Sequence, residues 1–592
     1  MRPGWVPTAA LVLALLAAAS LWRRDRDDGA RRTVALLRGR RRLLAAVGLV
    51  AVLLPVAAYR YVDATDYALD LGASAVAFAS LYLLLLRFRR VADGICRGLV
   101  RMPVMLLAAL FVAAAVAAGW LVLDGVPHIS DAVAYQLQAK AMAGGSLSIA
   151  APDHPEFFGF THTLLDGTRW YGIMNPGWPA ILAIGYLVGA PWLVNPVLGG
   201  LTLLALHAFL RRAGFGETDG RVAVVLLAIS PFALFLSASY MSHAASLLAF
   251  VLLLLFWARV LDGAGAAASI GAGLALVAGM LIRPVDAAAV AAPLGLHLAY
   301  RAIRDRKYAV PLVVVGLFAV AGIALTLVYN QRLTGDPLLF PVTKYFQLRN
   351  PAERFGLGFG ADMGTSIHGS EWPGFYPLDA VKVTAHRFIQ FLRDVHGVPL
   401  VMLAALALGL ARLPRERSRW KRLVAASALA LVGVYVFHFY HGIAYGSRHY
   451  YLALPAAVLA LSGPISRLMD GRPDAERAMG RSALAALVLT SALIAYPPLL
   501  REYGHRYRGA SGWVRDAVRE RGIHDALVFV EPGNWSWKSA FPLNSLPIGT
   551  GDVIFARDLG ERNAVLMAAF PERSAYRVGE SEEGVVVERL RP

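Results

Sequence analysis

The stretch Val126-Pro127-His128-Ile129-Ser130-Asp131-Ala132-Val133-Ala134-Tyr135-Gln136-Leu137-Gln138-Ala139-Lys140 follows a hydrophobic run ending near Leu123 and opens a long polar segment. A carboxylate at the exit of a membrane helix, at the head of a long loop, has no structural need to be there. It is useful there if a substrate's reacting end arrives at the membrane surface. Asp131 is therefore the first catalytic candidate. Ser130 or Asp131 could instead cap the helix that starts here, since either side chain accepts from free backbone N–H groups.

Other groups could join it. Asp153, His154 and Glu156 lie in the same polar segment as hard-metal or general-base candidates, at no recognised ligand spacing. A second polar segment, 331–396, opens on the turn signal Gly335-Asp336-Pro337 and carries Lys344, His368, Glu371, Arg387, Arg393 and His396. So long a segment with little obvious regular structure is usually functional or mobile. Arg283, followed by Pro284 and Asp286, stands between two apolar runs. A charge there is costly and defaults to a functional role; a local Arg283–Asp286 ion pair at a broken helix is the alternative. Arg448, in Gly446-Ser447-Arg448-His449-Tyr450-Tyr451, is either a phosphate holder, because the guanidinium fork matches phosphate oxygens, or an interfacial anchor. His243, after Tyr240-Met241-Ser242, is expected at the same end of its helix. No Walker loop, nucleophile elbow, dinucleotide fingerprint or metal-ligand helix occurs.

The elements that must position these groups are membrane helices. Of 592 residues, 57% are hydrophobic and only 17% charged, against about 25% charged in soluble domains. Apolar runs long enough to cross a bilayer fall at 5–22, 42–59, 70–86, 101–123, 191–211, 221–239, 243–260, 266–282, 286–301, 309–330, 397–412, 421–441, 449–466 and 482–498. The first lacks a cleavage-site pattern and reads as an uncleaved helix. The net charge of +18 is not a nucleic-acid footprint. Nine arginines face three aspartates in 23–42, and six Arg/Lys lie in 412–422. Such short basic loops mark the cytoplasmic side. Treating 177–190 as a re-entrant or interfacial piece keeps every basic cluster inside. The loops 124–190 and 331–396 and the tail then share the outer side. The lone Cys96 excludes an intramolecular disulfide and a multi-thiolate zinc site.

The expected fold is an all-α polytopic membrane protein with about 14 transmembrane helices and a small C-terminal α/β extracytoplasmic domain. Residues 1–100 are accessory helices, 101–500 the membrane core, and 501–592 the small domain. In it the pattern predicts a helix at 512–521, strands at 526–530 and 553–556, a helix near 560–569 and a late strand at 584–588.

Together, His-x-Ser-Asp with Tyr-x-x-Gln-Ala-Lys, Asn175-Pro176-Gly177-Trp178-Pro179, Pro191-Trp192-Leu193-Val194-Asn195-Pro196, Ser237 to His243, Arg283-Pro284, Gly335-Asp336-Pro337 and Arg448-His449-Tyr450-Tyr451 carry a resemblance over roughly 101–592. The chain resembles the C-type integral-membrane glycosyltransferases, in particular the bacterial branch related to protein O-mannosyltransferases and the lipid A aminoarabinose transferase. The resemblance implies a polyprenyl-phosphate sugar donor, an active site on the extracytoplasmic face of the plasma (inner) membrane, and Asp131 as general base on an acceptor hydroxyl. The acceptor is left open among lipid, glycan and protein. Two departures stand out. The family often has Asp-Glu where this chain has Asp131-Ala132, so the glutamate's role is absent or moved, with Asp153 and Glu156 as alternatives. Pro-Pro before Gly-Trp-Pro is Asn175-Pro176 here. No cofactor is called for, and a divalent cation is left open. Tyr135, Lys140, Asp153, His154, Glu156, His243, Arg283, Lys344, Arg448 and His449 are the expected substrate-binding residues, with Arg283, Lys344 and Arg448 facing the leaving phosphate. A lipid-linked polysaccharide polymerase or ligase, and a non-catalytic transporter of lipid-linked intermediates, are the competing readings.

Overall fold

The computed structural model describes residues 14, 41–58, 61–263, 265–352, 354–363, 374–531, 536–581 and 584–591. His368, Glu371 and all but Ala14 of the span expected at 5–22 lie outside the described residues.

In hydrocarbon a backbone must satisfy its own hydrogen bonds, so the apolar runs become helices. Among the described residues, eight helices are long and apolar enough to cross a membrane, or up to ten if each of two bent pairs is one span. The chain is an all-α multi-pass membrane protein with a small C-terminal sheet domain. The larger count expected from sequence includes shorter and broken segments. Arg41–Ala57 has 17 residues. The run at 221–239 splits into Glu217–Ala228 and Pro231–Ala238, bent by 52°, where Pro231 cannot donate to the preceding turn. Gly177–Leu187 has 11 residues, about 16 Å at 1.5 Å per residue. That is half a hydrocarbon core, as a non-crossing piece requires.

The segment 331–396 corrects the expectation of little regular structure. It contains Pro341–Arg349 and the 20-residue helix Pro377–His396. The latter turns by 105° into the next helix. Its charges hide its pattern because they are buried and bonded. Arg393 meets Asp70 at 2.6 Å, tying the helix to Ala64–Arg87. Removing one partner of such a buried pair costs about 3–5 kcal/mol.

The C-terminal domain has a four-stranded sheet in the order Val553–Arg557, Ala526–Val530, Ser574–Ser581, Gly584–Arg591. The first three strands are parallel and the last pairs antiparallel. Ser574–Ser581 was not expected: its mixed polar and glycine sequence lacks strand alternation, and it is held by partners on both sides. This sheet does not stand apart. Val133, Leu137, Phe157, Phe158 and Trp170 of the first polar segment share one apolar core with Phe529, Trp537 and Phe541. Each such large side chain contributes about 1.5–3 kcal/mol when buried. The domain is thereby fixed over the loop that carries Asp131.

Candidate active site

Asp131 lies in the first turn of the helix Ser130–Ala143. Neither Ser130 nor Asp131 caps it, because Ile129 occupies the cap position and makes no side-chain bond. The carboxylate is engaged elsewhere. Its Oδ2 accepts from Arg448 Nη1 at 2.9 Å, and its Oδ1 lies 3.0 Å from His162 Nδ1. The second contact is an ion-pair approach off the line of an ideal hydrogen bond. Burial alone would raise the Asp131 carboxyl, but Arg448 and then His162 hold it well below the usual carboxylate range. It is a stable anion, poor as a base while Arg448 covers it.

His162 follows Gly159-Phe160-Thr161 and stands at φ 64°. A non-glycine residue in this left-handed region stores strain and tends to mark a functional site. It is held there by Tyr345, whose hydroxyl accepts its backbone N–H at 3.1 Å and whose ring packs on the imidazole. Sequence reasoning missed it; the residue had no motif, and its φ was the only signal. His128, at the head of the segment, is held down to about 4 by burial and is neutral at pH 7.

Arg448 is delivered by a folded-over loop. Arg387, fully buried, donates to the carbonyls of Tyr435, His438, Tyr440 and His441, which nails down the near side of that loop. On the far side Ser447 N–H donates to Asp394 at 2.7 Å. Gly446, at φ 100°, passes so close that a Cβ would stand 2.7 Å from the same carboxylate.

Arg283 satisfies both sequence readings. It pairs with Asp286 at 2.5 Å and donates to the Tyr435 hydroxyl at 3.0 Å. Tyr435 in turn donates to Asp286. The same guanidinium lines a cavity of about 980 Å³ with Asp131, His162, Arg448 and His449. A cavity of this size takes a ligand larger than a single sugar. Its lining also includes residues the sequence did not flag: Arg349, Arg508, Lys538 and Arg557.

The remaining candidates lie outside this cavity lining. Tyr135 donates to Ser242 at 3.1 Å inside an apolar cluster with Trp178. Lys140 donates to the carbonyls of Pro542 and Asn544 at 2.5 and 2.7 Å, so it docks the C-terminal domain. Burial holds it down to about 8. Asp153 is exposed, His154 packs on Phe157, and Glu156 pairs with Arg562 at 3.1 Å. Lys344 is bound to Asp166 at 2.7 Å and does not line the cavity. His243 is buried against Tyr451. Spacing singled out all of these alike. It could not say which faced the cavity and which faced a neighbouring element. Among the described residues no group of three or more His, Cys, Asp or Glu is arranged to hold a metal ion.

No protein-family model matches the chain, and no curated protein sequence matches it. Solved structures do. The structure of ArnT from Cupriavidus metallidurans bound to undecaprenyl phosphate is similar over 81% of this chain and 97% of its own, at 12% identity and a TM-score of 0.48. The Archaeoglobus fulgidus oligosaccharyltransferase, in complex with zinc and sulfate, is similar over 81% and 68%, at 14% identity and a TM-score of 0.42. The arabinosyltransferase EmbB from Mycobacterium smegmatis is similar over 77% and 47%, at 14% identity and a TM-score of 0.34.

Proposed function

We propose that this chain is a glycosyltransferase that moves a sugar from a polyprenyl phosphate to an acceptor hydroxyl, at the extracytoplasmic face of the plasma (inner) membrane. The observation that carries the reading is the Asp131 carboxylate, held between Arg448 and His162 in a large cavity where membrane helices meet loops. The arginine-rich short loops support the orientation.

The geometry suggests an exchange of partners. An incoming phosphate competes for the Arg448 fork, since charge-assisted bidentate bonds favour it. Asp131 then loses the cation that suppresses its basicity. The acceptor oxygen attacks the anomeric carbon as its proton passes to the Asp131–His162 pair. The bond from that carbon to the phosphate oxygen breaks, and the electron pair stays on the phosphate, where Arg448 and Arg283 stabilise it. A prenyl chain would lie between helices with its phosphate at their loop end.

The test is mass spectrometry of cell-envelope glycans, lipids and glycoproteins from cells with wild-type protein, with Asp131→Asn and without the protein. One sugar should be lost from one acceptor class in both deficient strains. An unchanged envelope in both would refute sugar transfer.

A further inference from the structure

The cavity holds more positive charge than one donor phosphate needs. Arg448 and Arg283 stand where the helices end, and each already meets an aspartate. A second set lines the same cavity. Lys538 and Arg557 belong to the C-terminal domain, and Arg508 to the segment leading into it. Arg349 comes from the second polar segment. Among the described residues Arg349, Arg508 and Arg557 pair with no carboxylate. Arg349 lies over the Tyr345 ring, and Arg508 donates to the Ile443 carbonyl at 2.6 Å. Among the described residues the buried Arg557 Nε has no hydrogen-bond partner.

The placement of this set is enforced. Arg508 sits at φ 52°, and Arg506 two residues before it at φ 51°. Two non-glycine residues in the left-handed region cost of order 1–3 kcal/mol each. Arg506 is held by Glu580 of the sheet domain at 2.7 Å. The Trp537 indole, next to Lys538, donates to the Gly159 carbonyl at 3.2 Å, beside the His162 segment. Burial and the neighbouring Arg508 hold the Lys538 ammonium down to about 7, against the pull of Asp131. These cations are thus gathered around an open space whose lining, among the described residues, carries one carboxylate, Asp131, already paired with Arg448, at a cost that a bound anion would offset.

We propose that Arg349, Arg508, Lys538 and Arg557 form a second anion subsite, which selects a saccharide acceptor bearing a carboxylate or phosphate group. The proposal rests on the sugar-transfer reading for the word acceptor. It does not rest on it for the anion. These cations come from the loops and the C-terminal domain, whereas a prenyl-linked phosphate must enter from the helices. The aromatic rings of Phe160, Tyr345, Phe355 and Trp537 line the same space, as sugar faces require, which favours a glycan over an acidic peptide.

The test uses the full chain in lipid nanodiscs and equilibrium binding of five probes: trigalacturonate, its neutral analogue galactotriose, mannose 6-phosphate, triglutamate peptide and undecaprenyl phosphate. Wild-type protein should bind trigalacturonate or mannose 6-phosphate at least about ten-fold more tightly than galactotriose, and whichever wins names the group. Lys538→Gln with Arg557→Gln should lower that affinity about ten-fold or more. Undecaprenyl phosphate binding should stay within about two-fold, which also reports that the variant is folded. Arg557→Lys should restore part of the loss, as a point charge replacing a fork does. Equal binding of charged and neutral sugars would overturn the subsite. So would tighter binding of triglutamate, or a parallel loss of undecaprenyl phosphate in the double variant. If wild-type protein binds the anionic sugar but not undecaprenyl phosphate, the sugar-transfer reading fails while the anion subsite stands.

Discussion

Arg448–Asp131 and Arg283–Asp286 are the same chemical pair built in two ways. Arg283 and Asp286 are three residues apart at a helix start, and Tyr435 bonds to both. Asp286 is 2% exposed and has no other role open to it. Arg448 and Asp131 come from distant parts of the chain, and the carboxylate is 19% exposed and shared with His162. The first pair is closed and fixes the break that aims Arg283. The second is open to the cavity and can trade partners. Whether a buried ion pair holds structure or performs chemistry is decided here by what else its carboxylate can reach.

The comparison breaks most sharply at the carboxylates. Asp131→Asn should lower transfer by about 10²-fold or more while membrane insertion and yield persist. Asp286→Asn should do the reverse. It leaves Arg283 buried without its anion, a loss of about 3–5 kcal/mol, seen as poor yield and a lower melting temperature in detergent. Equal phenotypes would mean that the two pairs do not differ in role.

A smaller effect separates Asp131 from His162. While Arg448 covers it, Asp131 is held ionised well below the usual carboxylate range, so in the donor-free protein it stays ionised until strong acid. His162→Gln should lower the maximal rate about ten-fold; an unchanged rate would remove His162 from proton handling. Lys538 lines the same cavity as the open pair. With its ammonium held down to about 7, the affinity for an acidic sugar should fall as pH rises through 7. Lys538→Arg should abolish that fall.

The smallest effect concerns Ser130. With no cap bond to lose, Ser130→Ala should change stability by no more than about 0.5 kcal/mol, read as a melting shift.

The bundle was legible because apolar runs and basic loops are dictated by the bilayer. The strands expected at 526–530 and 553–556 were legible because they alternate little and are apolar throughout. Asp131, Arg283, Arg448 and His449 were legible because a charge or ring at a helix end has few bland uses. Lys140, Lys344 and Glu156 looked equivalent in sequence, yet each is spent on a partner in another element: Pro542 and Asn544, Asp166, and Arg562. His162 and the wall cations could not be read at all. Their meaning arises from a left-handed backbone and from a domain folded back over a loop more than 300 residues upstream.

The central claim is that the Arg448–Asp131 pair opens to receive a lipid-linked phosphate. Its most direct measurement is equilibrium binding of undecaprenyl phosphate to the purified full chain in nanodiscs, for wild type, Arg448→Lys, Arg448→Ala and Asp131→Asn. The account predicts that Arg448→Ala loses at least about ten-fold in affinity and Arg448→Lys part of that. Asp131→Asn should bind as tightly as wild type or more so, because its competitor for the guanidinium is gone. Unchanged affinity in Arg448→Ala, or weaker binding in Asp131→Asn at normal folding, would contradict it.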